Sequence, residues 1–382
     1  MWKRFGDLRR DERGMSFVFV GLGFMAFMAA TTLAIDVGMF MTARSQAQNA
    51  ADGGALAGAT ALAFDSFDDR SAGGPAVQSA VNTALANPVI GAAPSATPGD
   101  VTFPVGPTGA NRVRINVFRS APRSNAIPTL IGPLFGVPAV DVSATATAEA
   151  SPANAMTCVK PFTIPDRWTE NKNPPWTVNS SFDRYDKKGN VIPNADVYVP
   201  AGQPGYNGYD ATRDKGLLLT IRAGTGNNVE PSMYWSWDMP GGTGANWYRD
   251  NISGCNTTLV HFGDSMTQEP GNMVGPTTQG IDDLIAQDPY AYWDGTTNSV
   301  HSTMNPSPRV FPIPLYDPDY YQSGKVNGRN ATLRMANWIG FFVESRSGNN
   351  IFGRITPILG VIDNSAGPAP TGTFPVSIRL VQ

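Results

Sequence analysis

The chain has 382 residues, 41% of them hydrophobic and 15% charged, and its 40 glycines and 32 prolines make up about a fifth of it. That much apolar material excludes a polar disordered tail and suffices for a sizeable core, at a length that ordinarily divides into roughly two or three units. With 28 basic and 31 acidic residues and a net charge of −3, no whole-chain electrostatic footprint for nucleic acid exists.

Between Arg13 and Arg44 lies GMSFVFVGLGFMAFMAATTLAIDVGMFMTA, in which Asp36 is the only charge. About 20 helical residues cross a bilayer core, so this stretch can span a membrane. A cleaved signal peptide has an apolar run of roughly 7 to 15 residues before its cleavage site. The uncharged run Phe17 to Ile35 is longer and continues into more helix formers, so residues 15–41 read as a retained transmembrane helix, with cleavage in the Ala-rich stretch 26–34 as the alternative. Lys3, Arg4, Arg9, Arg10 and Arg13 precede the span, whereas only Arg44 follows it before Arg70, which keeps the basic segment 1–14 in the cytoplasm. The exported remainder then carries 23 bases and 28 acids, a balance that does not draw it to anionic lipid.

Within the span Ala26, Ala30, Ala34, Gly38 and Thr42 recur every four residues and form a small-residue face for helix packing. Asp36, about two turns before Arg44, is expected near the outer interface, reaching water or pairing with a basic side chain. The helical pattern continues as a 42–65 extension with no proline, in which Ala43, Ala47, Ala50, Gly54, Gly58 and Ala61 share a similar face. One helix from about Gly14 to Phe64 follows. Gly53 and Gly54 each weaken its middle by about 1 kcal/mol relative to Ala, which favours a bend there.

Behind the basic RRDERG and the apolar span stand Ile35, Asp36, Val37 and Gly38, then Gln48, Asn49, Ala50, Ala51 and Asp52, then Ala55, Leu56, Ala57, Gly58 and Ala59. This arrangement resembles the N-terminal module of TadG-like proteins of the tight-adherence (Flp, Tad) pilus assembly system, with Asp36, Gln48, Asn49 and Asp52 as its polar motif residues. The related TadE-like pseudopilins place Glu five residues after a processed Gly; counted from Gly14 that place is Phe19, which favours an unprocessed anchor. The resemblance implies a single-pass protein of the bacterial inner membrane with a periplasmic body, acting in pilus biogenesis and surface attachment as a structural or accessory component. Its partners would be the membrane and other Tad proteins, or a second copy through the N-terminal helix. It implies no cofactor, metal or catalytic residue. The run TLIGPLFGVPAVDVSATATA extends the resemblance to about residue 150, and more loosely GNMVGPTTQGIDDLIAQDP and later runs look like TadG-like proteins without a von Willebrand A domain.

Residues 66–150 read as a small α+β region: a short helix in PAVQSAVNTALAN, then alternation of Val113, Ile115 and Val117 and of Val140, Val142 and Ala144 as two paired strands. Between them the apolar IPTLIGPLFGV must be covered by something. Asp141, Ser143 and Thr145 fit a cation-binding D-x-S-x-[ST] pattern, but their strict alternation favours an ordinary strand.

Residues 151–382 read as a β-rich periplasmic domain, so the fold class is α+β: a long N-terminal membrane-spanning α-helix followed by a β-rich exported body. Candidate strands are 217–222, 232–237, 258–262, 309–315, 332–344, 351–362 and 374–380, with prolines at strand ends and edges and one helix at 279–286. Cys158 and Cys255, the only cysteines, are expected to form a disulfide in an exported domain, with two buried free thiols as the alternative. TLVHFGDSMT resembles the first block of SGNH hydrolases, which would make Ser265 a nucleophile; no D-x-x-H follows to supply its base, and a capped turn is favoured. The aromatics of MYWSWDMPGGTGANWYRDN raise the alternative of an envelope adhesin or carbohydrate-binding protein, against the reading that they are core. Acidic turns at Asp183 with Asp186 and at Asp317 with Asp319 lack the ligand number of a Ca²⁺ loop.

Overall fold

The structure, a computed structural model, describes residues 13–66, 68–107, 109, 111–224, 228–269, 271–304, 306–326 and 333–381. The basic segment 1–14 therefore lies almost wholly outside the described residues. Two compact units divide the chain, Met1–Ala150 with Ile378–Gln382, and Ser151–Ser377.

In the first unit, helix α1 (Arg13–Phe64) runs unbroken through both glycines of its middle. Helix α2 (Pro75–Leu85) starts on a proline, whose missing N–H is not needed in a first turn, and buries Ala76, Val77, Ala80, Val81 and Ala84 against α1. Gly54 and Gly58 explain how closely the two helices pack. A Cβ on Gly54 would come 2.9 Å from the Ala80 carbonyl oxygen, and one on Gly58 2.8 Å from Val113 Cγ1. These glycines provide close approach; no bend is needed to account for them.

Strands β1 (Val101–Thr102), β2 (Arg112–Arg119) and β5 (Val142–Pro152) pair antiparallel in that order, and the chain's last strand, Val376–Val381, joins the same sheet beside β5. Val113, Ile115 and Val117 point from β2 into the core shared with α1 and α2, as their alternation requires. Residues 378–382, counted with the body in the sequence, thus belong to this unit, where Arg379 stands 3.6 Å from the buried Glu149 and Arg112 stands 2.6 Å from it. Between β2 and β5 a short hairpin, β3 (Ile127–Pro128) with β4 (Ala139–Val140), carries a tight turn at Gly132–Phe135. The apolar segment expected to be covered is not: Leu134 is 83% and Phe135 73% exposed.

The second unit is built on a closed ring of six strands: β6 (Phe162–Pro165), β7 (Leu218–Ala223), β8 (Met233–Ser236), β9 (Val310–Tyr316), β10 (Leu333–Ser347) and β11 (Asn350–Thr356). Going round, β9 pairs with β6, β6 with β8, β8 with β7, β7 with β11, β11 with β10, and β10 back with β9. Side chains on the two faces feed separate cores, Ile339, Phe341 and Val343 of β10 entering one and Met335 and Trp338 the other. Two expectations are corrected here. Pro312 and Pro314 lie inside a strand with neighbours on both sides, not at an edge. They are tolerated because β6 pairs with β9 only at Leu315 and Tyr316, while the proline carbonyls on that side accept from Lys160 N–H (3.1 Å) and the Thr163 hydroxyl (2.7 Å). The body also has helices at Ala245–Ser253 and Pro318–Val326 besides Val274–Gln287, where one helix was expected; in the first, Tyr248 and Ile252 are buried one turn apart.

Candidate functional site at the anchor helix

Among the described residues α1 is the one helix long and apolar enough to cross a membrane. Its side chains from Ser16 to Ile35 are exposed apart from the half-buried Thr32. The polar groups in this stretch are satisfied within the helix: the Thr31 hydroxyl donates to Phe27 O (2.9 Å), that of Thr32 to Met28 O, and that of Thr42 to Gly38 O (2.9 Å). That is a requirement for helices in lipid. Ala26, Ala30, Ala34 and Gly38 are exposed, and a Cβ on Gly38 would meet nothing.

Asp36 marks the change of environment. Flanked by the exposed Ile35 and Val37, it is only 3% exposed itself. Its Oδ1 accepts from Leu130 N–H (2.8 Å) and its Oδ2 from Ile131 N–H (3.1 Å). The expectation of water or a basic partner is thereby corrected: the carboxylate ties the β3–β4 turn to the helix. Sequence reading missed this because the partner is backbone, 94 positions away. The available signal was an apolar turn with Thr129 as its one polar side chain.

Beyond Asp36 the helix is packed. Ala43, Ala47, Ala50, Ala51, Ala55, Ala59 and Leu62 are buried against α2 and the sheet. The Gln46 side-chain oxygen accepts from Ile90 N–H (2.7 Å), fixing the loop after α2. Gln48 donates through Nε2 to Asp52 Oδ1 (2.8 Å) and more weakly to Thr145 O (3.3 Å), while Asn49 is exposed. Gln48 and Asp52 line a cleft together with Arg114, Thr145 and Thr147.

Residues 14–61 match the family model described as putative Flp pilus-assembly TadE/G-like. Over this helix the chain is similar to the TadE/G-like family. No curated protein and no solved structure matches the chain. The TadE/G-like match coincides with α1, and it takes in both the exposed half and the packed half.

In the body the remaining candidate groups are engaged structurally. Cys158 and Cys255 are joined by a disulfide. Beside it the Lys160 ammonium donates to Gly254 O (2.7 Å) and Asn251 O (3.3 Å), capping the last turn of helix 245–253, and burial pulls its pKa down to about 7. His261 places Nε2 2.9 Å from Asp363 and Nδ1 3.7 Å from Asp264, so both ring nitrogens face carboxylates. At 3.7 Å Nδ1 is beyond hydrogen-bond reach of Asp264, and among the described residues no hydrogen bond joins Ser265 to a histidine. Asp363 itself is held down to about 2 by the Ser365 hydroxyl and by His261. Of the rings in that aromatic run, Tyr234, Trp237 and Tyr248 are buried and build the core, while Trp235 and Trp247 are half-buried. Asp141 accepts from Ala121 N–H (2.8 Å) and Thr145 donates to Asn116 (2.6 Å), each held by a protein neighbour. Asp186 accepts from Lys188 and Asn190 N–H within its own turn, and Asp319 pairs with Arg184 and Tyr185. Among the described residues no group of three His, Cys, Asp or Glu side chains is placed to hold a metal.

One buried acid stood outside the sequence reading. Asp166 receives the hydroxyls of Tyr198 (3.0 Å) and Tyr206 (3.1 Å) and the N–H groups of Arg167 (2.8 Å) and Tyr209 (2.9 Å). Burial pushes its carboxyl up to about 6 against the pull of these four donors. Gly208 makes the network possible, since a Cβ there would lie 2.4 Å from Asp166 Oδ2. With every donor supplied by the protein, the group fastens the 198–209 loop to the end of β6.

Proposed function

We propose that the protein is a single-pass inner-membrane component of Tad pilus biogenesis, structural or accessory rather than catalytic. Residues 1–14 lie in the cytoplasm, α1 is the uncleaved anchor, and the body faces the periplasm. The observation that carries this reading is the coincidence of the TadE/G-like match over 14–61 with a helix whose first half exposes apolar side chains and whose second half is packed into a folded unit. The basic residues before the span support the orientation, and the Cys158–Cys255 disulfide suits an oxidising compartment. Ala26, Ala30, Ala34 and Gly38 offer the surface for lateral association with other Tad proteins or a second copy.

Deletion of the gene is expected to abolish piliation and surface attachment. Restoration should require the full chain, with neither the anchor alone nor the body alone sufficing. Unchanged piliation in the deletion strain contradicts the reading.

A further inference from the structure

We propose that the β3–β4 turn, residues 129–137, is a second membrane-contacting element, seated in the outer leaflet beside α1 and held there by Asp36. The proposal rests on α1 being the anchor and adds a lipid-facing surface that is remote from it in sequence.

Three observations converge. No charged residue occurs between Arg123 and Asp141, and the turn presents Leu130, Leu134, Phe135 and Val137 outward. Its height is fixed by the two hydrogen bonds from Leu130 and Ile131 N–H to Asp36. Asp36 lies 19 residues beyond Phe17, or about 28 Å of helix, so a hydrocarbon core about 30 Å thick entered near Phe17 ends at about this level. The exposed apolar surface of the span therefore continues onto the turn without a break in chemistry.

The backbone of the turn also suits lipid, where an unsatisfied N–H costs several kcal/mol. Pro128, Pro133 and Pro138 have none to satisfy. Thr129 N–H bonds to Pro138 O (3.1 Å), Leu134 N–H to Ile131 O (3.0 Å), Gly136 N–H to Pro133 O (3.3 Å) and Val137 N–H to Gly132 O (2.8 Å), while the Thr129 hydroxyl donates to Val137 O (2.7 Å). Leu130 and Ile131 N–H are the ones that Asp36 takes up. A carboxylate at this depth is thus explained: it takes up two backbone donors of an element immersed beside it. Arg44, two turns further out and exposed, sits at headgroup height.

The test uses the full chain, with its native disulfide intact, in nanodiscs of phosphatidylethanolamine and phosphatidylglycerol. Spin labels are placed singly at Leu134→Cys, Phe135→Cys, Phe24→Cys within the span, and Thr60→Cys far outside it. The proposal predicts that labels at 134 and 135 behave as the one at 24, accessible to oxygen and shielded from a water-soluble nickel chelate, while the label at 60 is relaxed by nickel. Asp36→Ala should restore nickel access at 134 and 135 and leave 24 unchanged. Nickel access at 134 and 135 with 24 still shielded overturns the proposal and spares the anchor. Nickel access at 24 overturns the anchor itself. Shielding of 134 and 135 from both reagents means that protein covers the turn, a second copy or a partner, and also overturns the proposal.

Discussion

Replacing Arg309 with methionine is expected to destabilise the body by about 3 to 5 kcal/mol, the cost of leaving buried carbonyls without their donors. The guanidinium, almost wholly buried, donates from Nε and one terminal nitrogen to Val343 O (3.0 and 2.8 Å), from that nitrogen again to Glu344 O (2.6 Å), and from the other to Asp288 O (2.9 Å) and Ala291 O (3.0 Å). One side chain thereby joins the start of β9, the edge of β10 and the chain leaving helix 274–287. Burial lowers its pKa, opposed by the charges of Asp288 and Glu344, and it remains a cation. Methionine fills the volume but strands four carbonyls, each costing about 1 to 3 kcal/mol when left dry, less whatever water enters. Lysine should fall between, because three donors on one nitrogen cannot span the fork. Tryptophan fluorescence during thermal or urea unfolding is the readout, since seven of the eight tryptophans lie beyond residue 150. A loss below about 1 kcal/mol would mean that these carbonyls find other donors.

The second large effect is expected from removing the disulfide. Cys158 and Cys255 are separated by 97 positions, and the chain-entropy model assigns about 4.7 kcal/mol to a loop near 100 residues. Native strain and residual structure usually reduce this, so the double variant Cys158→Ala with Cys255→Ala should lose about 2 to 4 kcal/mol. The local structure argues against a smaller figure. Cys158 N–H bonds to Asn256 O (2.8 Å) and Lys160 caps the adjacent helix end, so the bond and the cap fasten the same junction to the chain entering β6. Faster migration of the unreduced protein on a denaturing gel would report the bond in cells, and identical migration with and without reductant would contradict it.

What the sequence made legible was what periodicity and composition encode. The unbroken helix through Phe64, the helix in PAVQSAVNTALAN and the pairing of the Val113 strand with the strand after Asp141 all follow from patterns within about a dozen residues. Contacts that depend on distant backbone were not legible. Asp36 could not be assigned to Leu130 and Ile131 from its neighbours in sequence. The closing of the second unit's ring, and the return of the last strand to the first unit, join segments far apart in the chain. The bend expected at Gly53 and Gly54 rested on local propensity and is absent, whereas the small-residue face that includes Gly54 and Gly58 is the one that admits Ala80 and Val113. The helix at Ala245–Ser253 was missed although Tyr248 and Ile252, one turn apart, share its buried face.

Protease added to intact spheroplasts producing the full chain should digest the body and leave an N-terminal fragment carrying α1 in the membrane fraction that resists alkaline carbonate. Full-length protein that survives until the cells are lysed, or that alkaline carbonate releases, would contradict a retained span with its body outside the cytoplasm.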